Sequence, residues 1–100
     1  MAIVKADAYG HGLLPMARTA REAGAQWLGV ALFSEALQLR AAGDTGPLLA
    51  WLAAPGDPWE EVLDAGIDVG VSSADQLERV ASTGRRARLH LKLDTGLGRA

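Results

Sequence analysis

Apolar residues gather in five short runs along the chain, at residues 2–4, 27–32, 48–52, 69–71 and 89–93. Each has the length of a strand. The stretches between them carry helix punctuation. Pro15 suits the first turn of a helix running to about Ala23, because the amide it lacks has no partner there, and Gly24 supplies a left-handed stop. Ser34 is placed to cap a helix that ends near Gly43. Asp57, followed by Pro58 and by Glu60 three positions on, reads as a reciprocal N-terminal cap on a helix closed by Gly66. Ser73 with Gln76 repeats the device ahead of Gly84. The alternation predicts β-α-β-α-β-α-β-α-β at roughly twenty residues per unit, which means parallel strands joined by crossover helices.

Such a series builds either an open doubly wound sheet or part of a closed (β/α) barrel, and periodicity does not choose between them. The last run carries a hint. In "LHLKLDTG" Leu89, Leu91 and Leu93 share one face while His90, Lys92 and Asp94 share the other. A parallel strand buried on both sides is apolar on both. A polar face turned into a barrel near its C-terminal mouth accommodates the pattern, and so does an edge strand with one wet face. The expected fold class is α/β, a partial (β/α)8 TIM-type barrel of about five parallel strands and four helices. Five strands cannot close an eight-stranded barrel, so the barrel reading makes residues 1–100 one partial domain with open edges.

Composition narrows the function classes. The chain has 100 residues, 49% hydrophobic and 22% charged, with a formal net charge of −2. Its ten basic residues are scattered, so the electrostatic footprint of a nucleic-acid binder is missing. The exception is Arg85, Arg86 and Arg88, placed where a helix should end and positive charge complements its dipole. With no cysteine, disulfides and thiolate metal sites are excluded, and a reducing compartment is compatible. Neither a signal peptide nor a run of ~20 apolar residues is visible, so the expectation is a cytoplasmic protein that does not enter a membrane.

Two lysines stand out, because the predicted helices carry arginine throughout, at Arg18, Arg21, Arg40 and Arg79. Lys5 and Lys92 are the only lysines, and each ends or lies within a predicted strand. A desolvated lysine can lose its proton and capture a carbonyl as a Schiff base, which arginine cannot do. A strand-end lysine reaching into water is the competing reading. Tyr9, the sole tyrosine, lies four residues beyond Lys5, where its phenol can reach a phosphate or act as an acid or base. His11 between two glycines lacks the spacing of a dinucleotide fingerprint. Metal catalysis gains little support from two distant histidines, and no metal site is expected. Asp7 and Asp94 meeting at one barrel rim remain an open carboxylate pair.

The segment "VKADAYGHG", residues 4–12, resembles the cofactor-lysine motif of the alanine racemases, and "HLKLDTGLGR", residues 90–99, resembles a second block of the same family. The resemblance implies a homodimeric pyridoxal 5'-phosphate enzyme with an N-terminal barrel and a C-terminal β domain. Such an enzyme is a cytoplasmic isomerase that interconverts L- and D-alanine and supplies D-alanine for peptidoglycan precursors. By match to the first block, Lys5 would hold the cofactor as an internal aldimine and shuttle the α-proton, and Tyr9 would hydrogen-bond the cofactor phosphate. By match to the second, Arg99 would bond the cofactor's phenolic oxygen, and Lys92 is the position that some members carry as a carbamate. The motif's usual methionine is Leu97 here. The family's second proton-transfer residue and its partner for the cofactor ring nitrogen come from regions beyond these blocks. The expectation is therefore an N-terminal piece of a racemase, inactive alone, with the C-terminal β domain absent. The alternatives are a barrel that binds pyridoxal phosphate without turnover and a small α/β interaction module with incidental lysines.

Overall fold

In the computed structural model, which describes residues 1–99, five strands pair in parallel in the order β1-β2-β3-β4-β5. They are β1 (Ala2–Ile3), β2 (Leu28–Leu32), β3 (Leu48–Leu52), β4 (Asp68–Val71) and β5 (Leu89–Leu91). Residue 100 lies outside the described residues. Sequential order with no reversal separates the two architectures, since a doubly wound sheet changes direction at a switch point and a barrel does not. The sheet is the arc of a barrel. Four right-handed helices follow strands, α2 (Leu13–Glu22), α3 (Phe33–Ala41), α4 (Trp59–Asp64) and α5 (Ala74–Ser82). A fifth element, α1 (Lys5–Tyr9), is a single turn of the opposite hand.

Alternation along each strand divides the sheet's faces. Leu28 and Val30, Leu48 and Ala50, and Val69 and Val71 are fully or almost fully buried. They pack with Phe33, Ala36 and Leu39 of α3 and Trp59, Val62 and Leu63 of α4 in one core. Phe33 meets Trp59 edge to face at 4.9 Å, a preferred aromatic geometry. The opposite face carries Gly29, Trp51 and Gly70 on adjacent strands. A Cβ at Gly70 would lie 3.0 Å from the Trp51 backbone, and one at Gly29 would lie 3.0 Å from the Trp51 indole. Gly29 leaves room for the indole, and Gly70 lets the Trp51 backbone and Cβ approach.

The helix ends agree with the sequence in part. Ser73 Oγ accepts from the Gln76 amide at 3.2 Å, while the Gln76 side chain returns to the Ser72 amide at 2.7 Å, one residue earlier than a reciprocal cap on Ser73 requires. Ser34 is not a cap, because α3 begins one residue before it and Glu35 takes the role, accepting from the Leu32 amide at 2.9 Å. Asp57 does not cap α4 either. Its carboxylate faces back to the Ala54 amide at 2.6 Å, and Glu60 pairs with Arg79 of α5. The arginines expected to serve a helix dipole also have other partners. Arg85 pairs with Asp64, and Arg88 pairs with buried Asp68 at the start of β4.

The expected polar face of β5 is present. His90 reaches the second oxygen of Asp68 at 2.9 Å and meets Trp27 edge to face. The strand ends at Leu91 rather than at residue 93, although the Lys92 amide still donates to the Val71 carbonyl at 2.8 Å. Leu91 and Leu93 on the other face are exposed, since β5 is an edge strand among the described residues.

Candidate functional site

The chain leaves β1 through a left-handed turn. Ala6, Asp7, Ala8 and Tyr9 have φ between 51° and 56°, and none of them is glycine. A left-handed helical residue with a Cβ costs roughly 1–2 kcal/mol, so four in succession need external support. That support is visible. The Ala8 amide returns to the Val4 carbonyl at 3.0 Å, and the Gly10 amide reaches the carbonyls of Ala6 and Asp7. Asp7 Oδ1 accepts from the Leu13 amide at 2.8 Å, tying the turn to the first residue of α2. The Ala6 amide donates to Glu35 Oε2 at 2.7 Å. Gly10, at φ 89°, ends the turn where a side chain would add further strain.

The turn holds Lys5 half-buried at the C-terminal end of β1, the end of a barrel at which active sites form. Lys5 lines an open cleft of about 420 Å³ with Trp51, Lys92, Leu93, Asp94, Thr95, Leu97 and Arg99. Three of the four residues singled out in the sequence thus share one cavity, from opposite edges of a five-stranded sheet. Tyr9 is exposed and does not line the cleft, but its ring centroid lies 5.9 Å from Lys5 Nζ.

The distal wall is a small turn. Asp94 Oδ1 accepts from the amides of Gly96 at 2.9 Å and Gly98 at 3.0 Å, which presents Arg99 to the cleft. The Gly96 bond, then the Gly98 bond, hold the Asp94 carboxyl below its ordinary pKa, with a smaller contribution from Lys92. A carboxyl depressed in the folded state stabilises the turn above its ordinary pKa, and the effect is lost as the pH falls through the folded value. The Gly96 and Gly98 amide resonances should therefore titrate together with a midpoint below the ordinary carboxylate range. Independent titration, or a midpoint above that range, would contradict the turn.

Lys92 Nζ donates to the Arg99 backbone carbonyl at 3.1 Å. Asp7 and Asp94 do not form a pair, for Asp7 serves the α2 terminus and Asp94 its own turn. Among the described residues there is no cluster of histidine and acidic groups suited to a metal ion, and no helix is long and apolar enough to cross a membrane. Sequence reasoning missed Trp51, the cleft's aromatic wall. Its signal was a tryptophan in a parallel strand flanked in space by two strand glycines. It also missed Glu35, which reads in sequence as an ordinary helix residue.

The family model for the N-terminal domain of alanine racemase matches residues 1–100. The chain is 57% identical over 104 residues to an alanine racemase of Frankia casuarinae, covering 100% of this chain and 27% of that protein. It is 55% identical over 103 residues to one of Mycolicibacterium smegmatis, covering 99% and 26%. Among solved structures, an alanine racemase from a D-cycloserine-producing Streptomyces lavendulae superposes with a TM-score of 0.94 at 54% identity, covering 99% of this chain and 27% of that one. The alanine racemase of Corynebacterium glutamicum gives 0.93 at 36% identity, covering 99% and 29%.

Proposed function

Since the chain belongs to the alanine racemase N-terminal domain family and spans about a quarter of its relatives' length, we propose that it is the lysine-bearing part of a cytoplasmic, homodimeric pyridoxal-phosphate racemase acting on alanine. The carrying observation is the convergence of Lys5, Lys92 and Arg99 on one cleft at the C-terminal end of the strands. The donor set fits the cofactor, with one amine at a strand end, a guanidinium for an anionic oxygen and an indole wall for a planar ring. Pyridoxal phosphate, when bound, supplies the carbonyl that an amine captures and the conjugated ring that spreads the charge left by a departing α-proton.

The chain's own residues do the rest. Lys5 Nζ holds the cofactor and then moves the α-proton on one face of the substrate. The left-handed turn fixes where that amine points. The Tyr9 hydroxyl donates to the cofactor phosphate, and the Arg99 guanidinium to the phenolic oxygen. Lys92, once its ammonium has lost a proton, adds its free amine to carbon dioxide and releases a second proton to give a carbamate, and the resulting anion pairs with the Arg99 fork in place of the carbonyl contact. Residues 1–100 form one partial barrel domain, which supplies one side of the site and does not racemise alanine by itself.

The deciding assay follows D-alanine formation from L-alanine by a full-length protein carrying this segment, with pyridoxal phosphate added. Racemisation is expected. Cofactor binding without turnover on any amino acid would favour the non-catalytic barrel instead.

A further inference from the structure

Among the described residues two side-chain carboxylates are buried, Glu35 and Asp68, and both lie outside the cleft. Asp68 is explained by Arg88 and His90, whereas Glu35 meets only main-chain amides. Its Oε1 accepts from Leu32 at the end of β2, and that bond is a local one which any glutamate in the first turn of α3 can make. Its Oε2 accepts from Ala6, 29 residues away, and the helix has no need of that bond.

Ala6 is the residue after Lys5. The ladder with β2 ends at the Val4 amide, bonded to the Gly29 carbonyl at 2.9 Å, and the turn's own bonds begin at Ala8. Of the three amides between them, Glu35 takes that of Ala6. Lys5 is thus fixed on its N-terminal side by β2 and on its C-terminal side by α3, at the point where the backbone enters its strained conformation. Without that acceptor the Ala6 amide, only partly shielded from water, no longer offsets the strain of the left-handed turn, which favours a relaxed, right-handed or extended exit from β1, and the lysine would then leave the cleft.

We propose that Glu35 is a positioning residue for Lys5, a clasp that joins the first two βα loops and holds the lysine amine toward the cleft without touching what binds there. The inference rests on the cofactor role proposed above for Lys5. Glu35→Gln is the informative variant. It keeps the size of the side chain, but its carboxamide can accept from only one of the two amides and turns an NH₂ toward the other.

The test uses a full-length protein carrying this segment, as wild type, Glu35→Gln, Glu35→Ala and Val62→Ala, the last removing part of a wholly buried α4 side chain away from the clasp. Amide exchange is read by NMR at Ala6 and Val69. Borohydride reduction with pyridoxal phosphate, followed by peptide mass spectrometry, gives the ratio of label on Lys5 to label on the N-terminal amine. In the Glu35 variants Ala6 exchange should rise about 10- to 100-fold, the range for losing a hydrogen bond to a carboxylate. The Lys5 ratio should fall about tenfold or more, as a displaced nucleophile requires. Val69 should keep its protection. Val62→Ala should lower the melting temperature and leave the ratio unchanged, the behaviour that the Glu35 variants would share if Glu35 were merely structural.

If Lys5 is labelled selectively in the wild type and equally so in Glu35→Gln, the clasp is refuted and the cofactor reading stands. If the wild type shows no selectivity for Lys5, the cofactor reading fails, and the clasp on the Lys5 backbone is decided by Ala6 exchange. Glu35→Gln serves where Glu35→Ala does not fold.

Discussion

Lys5→Ala, made in a full-length racemase that carries this segment, is expected to lower kcat/KM for L-alanine by at least about a thousandfold. No other side chain among the described residues brings an amine to the cleft except Lys92, which enters from the opposite edge of the sheet and is engaged with the Arg99 carbonyl. Lys5→Arg separates the amine from the charge. Arginine keeps a cation at the strand end but cannot give up a proton to act as nucleophile or base, so it should be as inactive as alanine. A variant of either kind retaining a tenth of wild-type turnover would show that the chemistry does not pass through Lys5.

The second large effect concerns stability. Asp44→Ala should cost about 2–4 kcal/mol and lower the melting temperature of the chain by on the order of 10–20 °C. Asp44 lies between two arginines, accepting from Arg21 at 2.8 and 2.9 Å and from Arg40 at 3.3 Å. The arginines in turn hold carbonyls ahead of three strands. Arg21 reaches Gln26 and Pro47, and Arg40 reaches Gly46, Ala65 and Gly66. Burial, the largest cause, lowers the pKa of Arg40; Asp44 is the strongest opposing influence, and Arg21 adds repulsion. Without the carboxylate, two partly desolvated cations face each other at the N-terminal rim, the end of a barrel that serves stability. Glu60→Gln, which breaks an ion pair exposed on both sides, should change the melting temperature little. Equal effects from the two substitutions would contradict the distinction between the rim network and the surface pair.

The sheet was legible because its strands are bounded by residues with local meaning. Gly24, Gly43, Gly66 and Gly84 all take positive φ at or just beyond helix ends, as their positions in sequence imply. Ser73 and Gln76 form a local cap because nothing nearby competes for them. Ser34 and Asp57 have the right chemistry for caps but lose the role to neighbours, Glu35 in one case and the Ala54 amide in the other. The left-handed turn lay beyond local reading altogether. Alanine, aspartate and tyrosine do not announce that conformation, and part of what enforces it is a bond from a residue 29 positions away.

The candidate site divides along the same line. Lys5 and Lys92 were conspicuous as the only lysines, on predicted strands in an arginine-using chain, and the resemblance attached Tyr9 and Arg99 to them. That Lys5, Lys92 and Arg99 meet follows from the sheet's curvature, which no spacing encodes. Trp51 belongs to the cleft for the same reason. Its place depends on Gly29 and Gly70 on the strands either side, so the signal is spread over three βα units.

The proposed chemistry requires that Lys5 be placed as a carbonyl-capturing amine. The direct measurement is borohydride reduction, with pyridoxal phosphate, of a full-length protein carrying this segment, with the label quantified by mass spectrometry on Lys5, Lys92 and the N-terminal amine. Selective labelling of Lys5 is the predicted result, lost in Lys5→Ala without a compensating gain at Lys92. Indiscriminate labelling of the three amines would contradict it and leave Lys5 an ordinary strand-end lysine.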